Sequence, residues 1–152
     1  MPTLGGASAT PLRFLDFLIH EPQRSVLLHK YGVGVTVPAP ERYAVHKLIV
    51  STRRREEEGT EVDLTDPETV SIFSKREKDV RQAGILIEAL TLKRRGLDLA
   101  AAWAEAWRRG PSWREGLIGG RAALEPVHST MLEQAVRGNC KDLKLDPAEV
   151  GW

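Results

Sequence analysis

The spacing of apolar residues in the middle of the chain constrains its fold most strongly. Apolar side chains there recur at intervals of three and four residues: Val80, Ala83, Leu86, Ile87 and Leu90. This spacing places them on one face of an α-helix, and we predict a long helix over residues 74–92. A chain of 152 residues is long enough to bury such a face in the core of a single domain.

The N-terminal third has a different pattern. Residues 25–29 and 33–37 are rich in β-branched and apolar residues, and they flank Lys30-Tyr31-Gly32. Because glycine tolerates the positive φ that a tight turn needs, we predict a β-hairpin here. Residues 11–19 precede the hairpin and fit either a short helix or a buried strand, since their periodicity does not separate the two.

Further helices are predicted after the hairpin. Pro38 and Pro40 end the second strand, and Pro40 suits the first turn of a helix that runs to about Arg54. Gly96 is predicted to end the long helix. Three more helices are predicted over residues 97–109, 111–117 and 127–136. The fold class is therefore α+β, a small N-terminal hairpin followed by a mostly helical C-terminal part. We expect a flexible lead-in over 1–10, one domain over 11–138 and a tail over 139–152.

Charge is unevenly distributed along a chain whose net charge is only +1. Residues 56–72 contain seven acidic residues and no basic one, so we predict an acidic loop with Gly59 and Asp66-Pro67 as helix breakers. Basic clusters stand at predicted helix ends: Arg53-Arg54-Arg55, Lys93-Arg94-Arg95 and Arg108-Arg109. The helix dipole favours cations at these ends, so we interpret them as solvated termini rather than an RNA- or phosphate-binding patch. The small net charge also disfavours a helix-turn-helix DNA-binding protein.

Three observations bear on location. The apolar runs are only a few residues long, which excludes a membrane-spanning segment. The first ten residues contain no basic start followed by an apolar stretch, so they do not resemble a secretory signal. A single cysteine, Cys140, cannot form an internal disulfide. We therefore expect a cytoplasmic protein with no membrane partner.

Three blocks of the sequence resemble a known family. They are residues 11–19, residues 37–50 with the run Pro-Glu-Arg-Tyr-Ala-Val-His-Lys, and residues 75–83 followed by Leu86, Ile87 and Leu90. In this order they resemble the C-terminal part of a bacterial family with a nucleotidyltransferase fold. The layout is similar to that of the nucleotidyltransferase toxins of abortive-infection, type IV toxin–antitoxin systems. The resemblance covers roughly residues 9–120.

The resemblance implies a chemistry and candidate residues. In such proteins an Asp-x-Asp pair after a Gly-Ser turn holds magnesium ions that bind a nucleoside triphosphate for nucleotidyl transfer. Lys47 matches the lysine that faces the phosphates, and Asp79 matches a later acidic position. Arg42 and Lys78 lie in the same two blocks and are further candidates for nucleotide or phosphate binding. From the residues alone, Lys47 and Asp79 can form an ion pair between two packed helices, and we favour this structural pair over a direct functional role of Asp79.

The carboxylates that would hold the metal are missing from the sequence. Gly5-Gly6 followed by Asp16 imitates the expected spacing, but no second acid lies beside Asp16, and Asp63 and Asp66 are wrongly spaced. We therefore predict no catalytic residues, no metal site and no cofactor for this chain alone. Magnesium and a nucleoside triphosphate are implied for a complete family member.

These considerations leave two hypotheses. The first is a truncated or partial nucleotidyltransferase-fold protein, inactive by itself, that binds a nucleoside triphosphate or RNA if a missing segment completes it. The alternative is a non-enzymatic module that binds a protein or RNA. His46 lacks a second ligand at metal-binding spacing. Trp103 and Trp107 lie one helical turn apart and are predicted to pack in the core rather than stack on bases.

Overall fold

The computed structural model describes residues 14–28, 30–56 and 67–152, so the predicted lead-in over 1–10 lies outside the described residues. The elements follow one another in this order: α1 (Leu15–Leu18), β1 (Gln23–Leu27), β2 (Val33–Val37), α2 (Pro40–Glu56), α3 (Pro67–Leu92), α4 (Gly96–Arg108), α5 (Pro111–Ala122) and α6 (Pro126–Asn139). A 3-10 turn over Pro147–Val150 follows α6. The predicted α+β class, a hairpin followed by helices, is confirmed.

The two strands form the predicted antiparallel hairpin. Gln23 pairs with Val37 and Leu27 with Val33, so β1 begins two residues earlier than predicted. Gly32 has a φ of 74°, the positive value for which glycine was expected. The ambiguous segment before the hairpin forms a single helical turn, α1, and buries Phe17 completely.

The core lies where α2 packs against α3, α4 and α5. Leu48 and Ile49 of α2 and Ile87 of α3 are fully buried, as is Trp103 of α4. The predicted apolar face of the long helix is therefore the face that enters the core. The prediction of core packing for Trp103 is also confirmed, and Trp107 stacks on it with the ring centroids 6.2 Å apart.

Glycines allow α5 to approach α2 closely. A Cβ at Gly120 would lie 2.4 Å from the carbonyl oxygen of Leu48, and one at Gly116 would lie 3.0 Å from Cγ2 of Ile49. Because the first of these contacts is with backbone, no side-chain rotation can relieve it. The short distance between α2 and α5 therefore depends on residues without a side chain.

Helix boundaries on both sides of the acidic loop and at Gly96 differ from the predicted ones. The acidic loop was predicted over 56–72, but Glu56 belongs to α2 and residues 67–72 belong to α3. Pro67 begins α3 instead of breaking it, because proline at the first helical position loses no backbone hydrogen bond. Gly96 was predicted to end the long helix, but it is the first residue of α4. Arg94 adopts the left-handed conformation at that corner instead, with a φ of 57°.

The C-terminal helices are longer than predicted, and the tail packs on the domain. Helix α5 continues to Ala122, and α6 runs through Gly138, which was predicted to lie in a turn. Asp146 caps the following 3-10 turn by accepting a hydrogen bond from the backbone N–H of Ala148. Val150 at the end of that turn is fully buried, so the last residues form part of the core.

Among the described residues, no helix combines the length and the apolar character that crossing a membrane requires.

Candidate functional site

Lys47 of α2 and Asp79 of α3 meet where the two helices pack. The Lys47 Nζ donates a hydrogen bond to Oδ1 of Asp79 over 2.6 Å. The Lys47 side chain is 16% exposed and that of Asp79 only 4%. The structural ion pair that the sequence favoured is therefore present, and it joins α2 to α3.

Tyr43 completes the surroundings of Lys47. It lies one helical turn earlier on α2, and Nζ of Lys47 is 5.1 Å from the centre of its ring. Burial by itself would lower the pKa of Lys47, but the hydrogen bond and charge of Asp79 outweigh burial and raise it. The ammonium group therefore carries its charge at neutral pH. The spacing of four residues between Tyr43 and Lys47 was the sequence signal for this contact, and our prediction missed it.

The other two candidate residues do not join this pair. Arg42 is buried and points elsewhere: Nη2 donates to Oε2 of Glu105 over 2.6 Å, and Nη1 donates to the carbonyl oxygen of Phe17 over 3.3 Å. Its guanidinium carbon lies 4.8 Å from the centre of the Phe17 ring. Lys78 is exposed on α3. The structure thus brings Lys47 and Asp79 together, commits Arg42 to a different cluster and leaves Lys78 facing solvent.

Arg42 belongs to a charge cluster with Glu105, Arg109 and Asp16. Glu105 accepts a hydrogen bond from Arg42 and another, over 2.8 Å, from Arg109. Arg109 also donates to the carboxylate of Asp16. Asp16, which imitated a metal-binding carboxylate in the sequence, is therefore the ion-pair partner of an arginine. The pairing joins positions 93 residues apart, so no local pattern could have predicted it.

The cluster gives Glu105 a distinctive dependence on pH. Burial alone would raise the pKa of Glu105, but the hydrogen bonds donated by Arg42 and Arg109 outweigh burial and hold it below the ordinary value. A carboxylate with a lowered pKa stabilises the folded state above its unfolded pKa. That contribution is lost as the pH falls through the folded value.

We therefore expect Glu105→Gln to lower the free energy of unfolding by about 1–2 kcal/mol at pH 7, because Arg42 loses its charged partner. The difference from the wild type should shrink below about pH 4, where the wild-type carboxylate takes up a proton. Urea unfolding at pH 7, 5 and 3 measures it. A difference of the same size at all three values would contradict the assigned role.

Some basic residues at helix ends are paired rather than solvated, whereas Lys93, Arg94 and Arg108 are exposed, as their interpretation as solvated termini predicted. Arg95 donates to Asp98 over 2.7 Å and to Glu41 over 3.1 Å. Arg53 donates to the carbonyl oxygen of Ser112 over 2.6 Å. The side chains of Arg54 and Arg55 lie outside the described residues. These arginines fasten helix ends to neighbouring elements, which reduces the charge they offer to an anionic partner.

Potential metal ligands do not cluster in the part of the chain that the structure describes. No group of three His, Cys, Asp or Glu side chains there is arranged to hold a metal ion. Asp79 is engaged with an ammonium group, which competes with any cation for its oxygens. Cys140 is buried, its thiol donates to the carbonyl oxygen of Val136, and burial raises its pKa, so it is not poised as a nucleophile. The described residues therefore do not fit a pair of magnesium ions.

Comparison with known proteins gives one match, which is to a family model. No curated protein and no solved structure matches this chain. A family model described as Nucleotidyltransferase matches residues 1–108, which include the hairpin and both partners of the Lys47–Asp79 pair. The match spans 108 of the 152 residues. The chain therefore belongs to this nucleotidyltransferase family.

Proposed function

We propose that this chain is a partial nucleotidyltransferase that binds a nucleoside triphosphate at the surface around Lys47 but does not transfer a nucleotidyl group by itself. The observation that carries the proposal is the charged, partly exposed Lys47 held between Asp79 and Tyr43. Membership of the family supports nucleotide binding as the activity to expect at this position. The proposal also places the protein in the cytoplasm, where a single thiol stays reduced.

Lys47 keeps the capacity to bind a phosphate. An ammonium group has three N–H donors, and the bond to Asp79 uses one of them. The contact with Asp79 holds the otherwise flexible side chain in one place. A phosphate oxygen that approaches the exposed side of Lys47 would therefore meet a fixed positive charge with donors to spare.

We expect no nucleotidyl transfer because the carboxylates that would hold the metal ions are missing from the sequence. Two-metal nucleotidyl transfer needs at least two convergent carboxylates, since one aspartate cannot hold two ions. The sequence contains no Asp-x-Asp motif. In our proposal the carboxylates that bind magnesium come from outside these 152 residues, and magnesium with the triphosphate is the cofactor of the completed site.

The hairpin favours a second candidate function, a non-enzymatic interaction module. Leu28 is 90% and Tyr31 97% exposed at its turn, and Val26 and Leu27 in β1 are more than half exposed. Exposed apolar side chains that cluster in this way mark binding surfaces, and a hairpin of two strands has little stability without a partner. A protein or an RNA that covers the hairpin is the partner under this alternative.

Calorimetric titration with ATP and magnesium tests the proposal. The variant Lys47→Gln/Asp79→Asn replaces both charges with amides, so no lone charge is left buried. We expect it to bind ATP about tenfold more weakly than the wild type, or worse, because one charged phosphate contact is lost. Lys93→Gln, which removes an exposed lysine just after α3, is the matched control and should bind like the wild type.

Two outcomes would contradict the proposed nucleotide binding at Lys47. One is the absence of heat when ATP is added to the wild type. The other is equal affinity of the wild type and the double-amide variant for ATP, which would show that Lys47 has only a structural role. Circular dichroism of both proteins verifies that the comparison is between folded chains.

A further inference from the structure

Helices α3 and α6 border a groove on a different side of α3 from Asp79. Its volume is about 450 Å³, and its α3 wall includes Phe73, Glu77 and Val80, residues that recur with helical spacing on one face. Small-molecule sites in proteins commonly measure about 300–1,000 Å³. We propose that this groove binds a small organic phosphate whose body carries a planar ring and hydrogen-bond donors, such as a nucleoside monophosphate. This site is separate from the one proposed around Lys47.

The groove has an apolar wall suited to a ring. Phe73 and Val80 contribute side chains from α3, and Leu124 contributes one from the segment between α5 and α6. Phe73 and Val80 are partly exposed, whereas Leu124 is almost completely buried. A planar body that covers these side chains removes apolar surface from water, which favours binding.

Two arginines supply the charge for a phosphate. Arg76 and Arg81 both line the groove. Among the residues that the structure describes, neither side chain has a hydrogen-bond or ion-pair partner, and the Nε of Arg76 is buried without an acceptor. A guanidinium group offers its donors in a planar fork that matches the oxygens of a phosphate. A phosphate bound here would give the buried donor of Arg76 an acceptor.

Acidic residues in the groove restrict the ligand further. Glu77 and Glu125 also line it, and both are exposed. Their carboxylates repel a bare anion, but they accept hydrogen bonds from hydroxyl or amino groups. The groove therefore favours a phosphate attached to a body that carries such donors, as a ribose and a base do, over inorganic phosphate.

The α6 wall depends on a glycine in α3. A Cβ at Gly84 would lie 2.5 Å from Nδ1 of His128, so only a residue without a side chain lets this imidazole sit against α3. Nδ1 of His128 is 4.0 Å from the carboxylate of Glu125, and Nε2 is 3.8 Å from that of Glu88. Close packing of Gly84 and His128 fixes one end of the groove.

The test is calorimetric titration of the full chain with AMP, adenosine and inorganic phosphate. We expect AMP to bind, and the other two to bind at least about tenfold more weakly, because each lacks half of the recognised chemistry. Arg76→Gln/Arg81→Gln should weaken AMP binding about tenfold or more. Lys75→Gln/Lys93→Gln removes the same charge from exposed positions on or next to α3 and should leave AMP binding unchanged.

Lys47→Gln/Asp79→Asn separates this inference from the proposed function, since the groove predicts unchanged AMP binding in that variant. The inference is overturned if the wild type gives no heat with AMP. It is also overturned if the arginine variant binds AMP like the wild type, or if the lysine control loses as much affinity as the arginine variant.

Discussion

Replacing Lys47 with alanine is expected to lower the free energy of unfolding by about 3–5 kcal/mol. Asp79 is 3% exposed, and in the variant its carboxylate would stay buried without the ammonium group that now lies 2.6 Å away. Removing one partner of a buried pair costs far more than the pair contributes over two uncharged residues. Urea unfolding followed by circular dichroism at neutral pH measures the loss.

The double-amide variant Lys47→Gln/Asp79→Asn is the control for this expectation. It removes both charges together, so we expect it to be clearly more stable than Lys47→Ala. A loss of less than about 1 kcal/mol in Lys47→Ala would contradict the role of the pair in holding α2 to α3.

The pair should also set how stability changes in alkaline solution. The pKa of Lys47 is raised, so its contribution is fully present below the ordinary lysine pKa and fades only as the pH rises through the higher folded value. The advantage of the wild type over Lys47→Ala should therefore hold from neutral pH to about pH 10.

Trp103→Ala is expected to lower the free energy of unfolding as much as Lys47→Ala, by about 3–5 kcal/mol, because it leaves a large cavity in the core. Trp103 is fully buried, and its Nε1 donates to the carbonyl oxygen of Val150 over 2.9 Å. Its ring centre also lies 5.7 Å from that of Trp152. The substitution should therefore release the C-terminal 3-10 turn as well as weaken the core.

Amide hydrogen exchange and urea unfolding test the two parts of this expectation. Faster exchange at the turn over Pro147–Val150 should accompany the loss of stability. Trp103→Phe keeps a ring but loses the hydrogen bond. Its free energy of unfolding should therefore lie between those of the wild type and Trp103→Ala. Leu92→Ala, at a position 77% exposed, is the surface control and should change stability little. Unchanged exchange at the turn in Trp103→Ala would contradict the link.

The elements that the sequence predicted well are those set by local physics. Apolar spacing in α3 predicted the face that enters the core, and Gly32 predicted the hairpin turn. The errors arose where one residue type has two local uses. Pro67 ends a helix or begins one, and Gly96 can terminate a helix or permit close packing. In this fold a Cβ at Gly96 would lie 3.2 Å from Nδ2 of Asn139 on α6, so its small size serves helix packing.

The candidate sites also separate into those that the sequence identified and those that only the packed fold shows. Lys47 and Asp79 were identified from sequence because each stands in a recognisable block, and helix packing brings them together. The cluster of Arg42, Glu105 and Arg109 was missed because its members come from helices distant in sequence. The α3–α6 groove was likewise beyond prediction, since it exists only once the two helices are placed side by side.

The central claim is that this chain binds a nucleoside triphosphate without transferring a nucleotidyl group by itself. The most direct measurement incubates the purified full chain with magnesium and α-³²P-labelled nucleoside triphosphates, with and without RNA, and follows the label into protein or RNA. We expect no incorporation above background, alongside calorimetric binding of ATP. Magnesium-dependent incorporation would contradict it, because the chain would then possess a catalytic carboxylate set that its sequence gives no sign of.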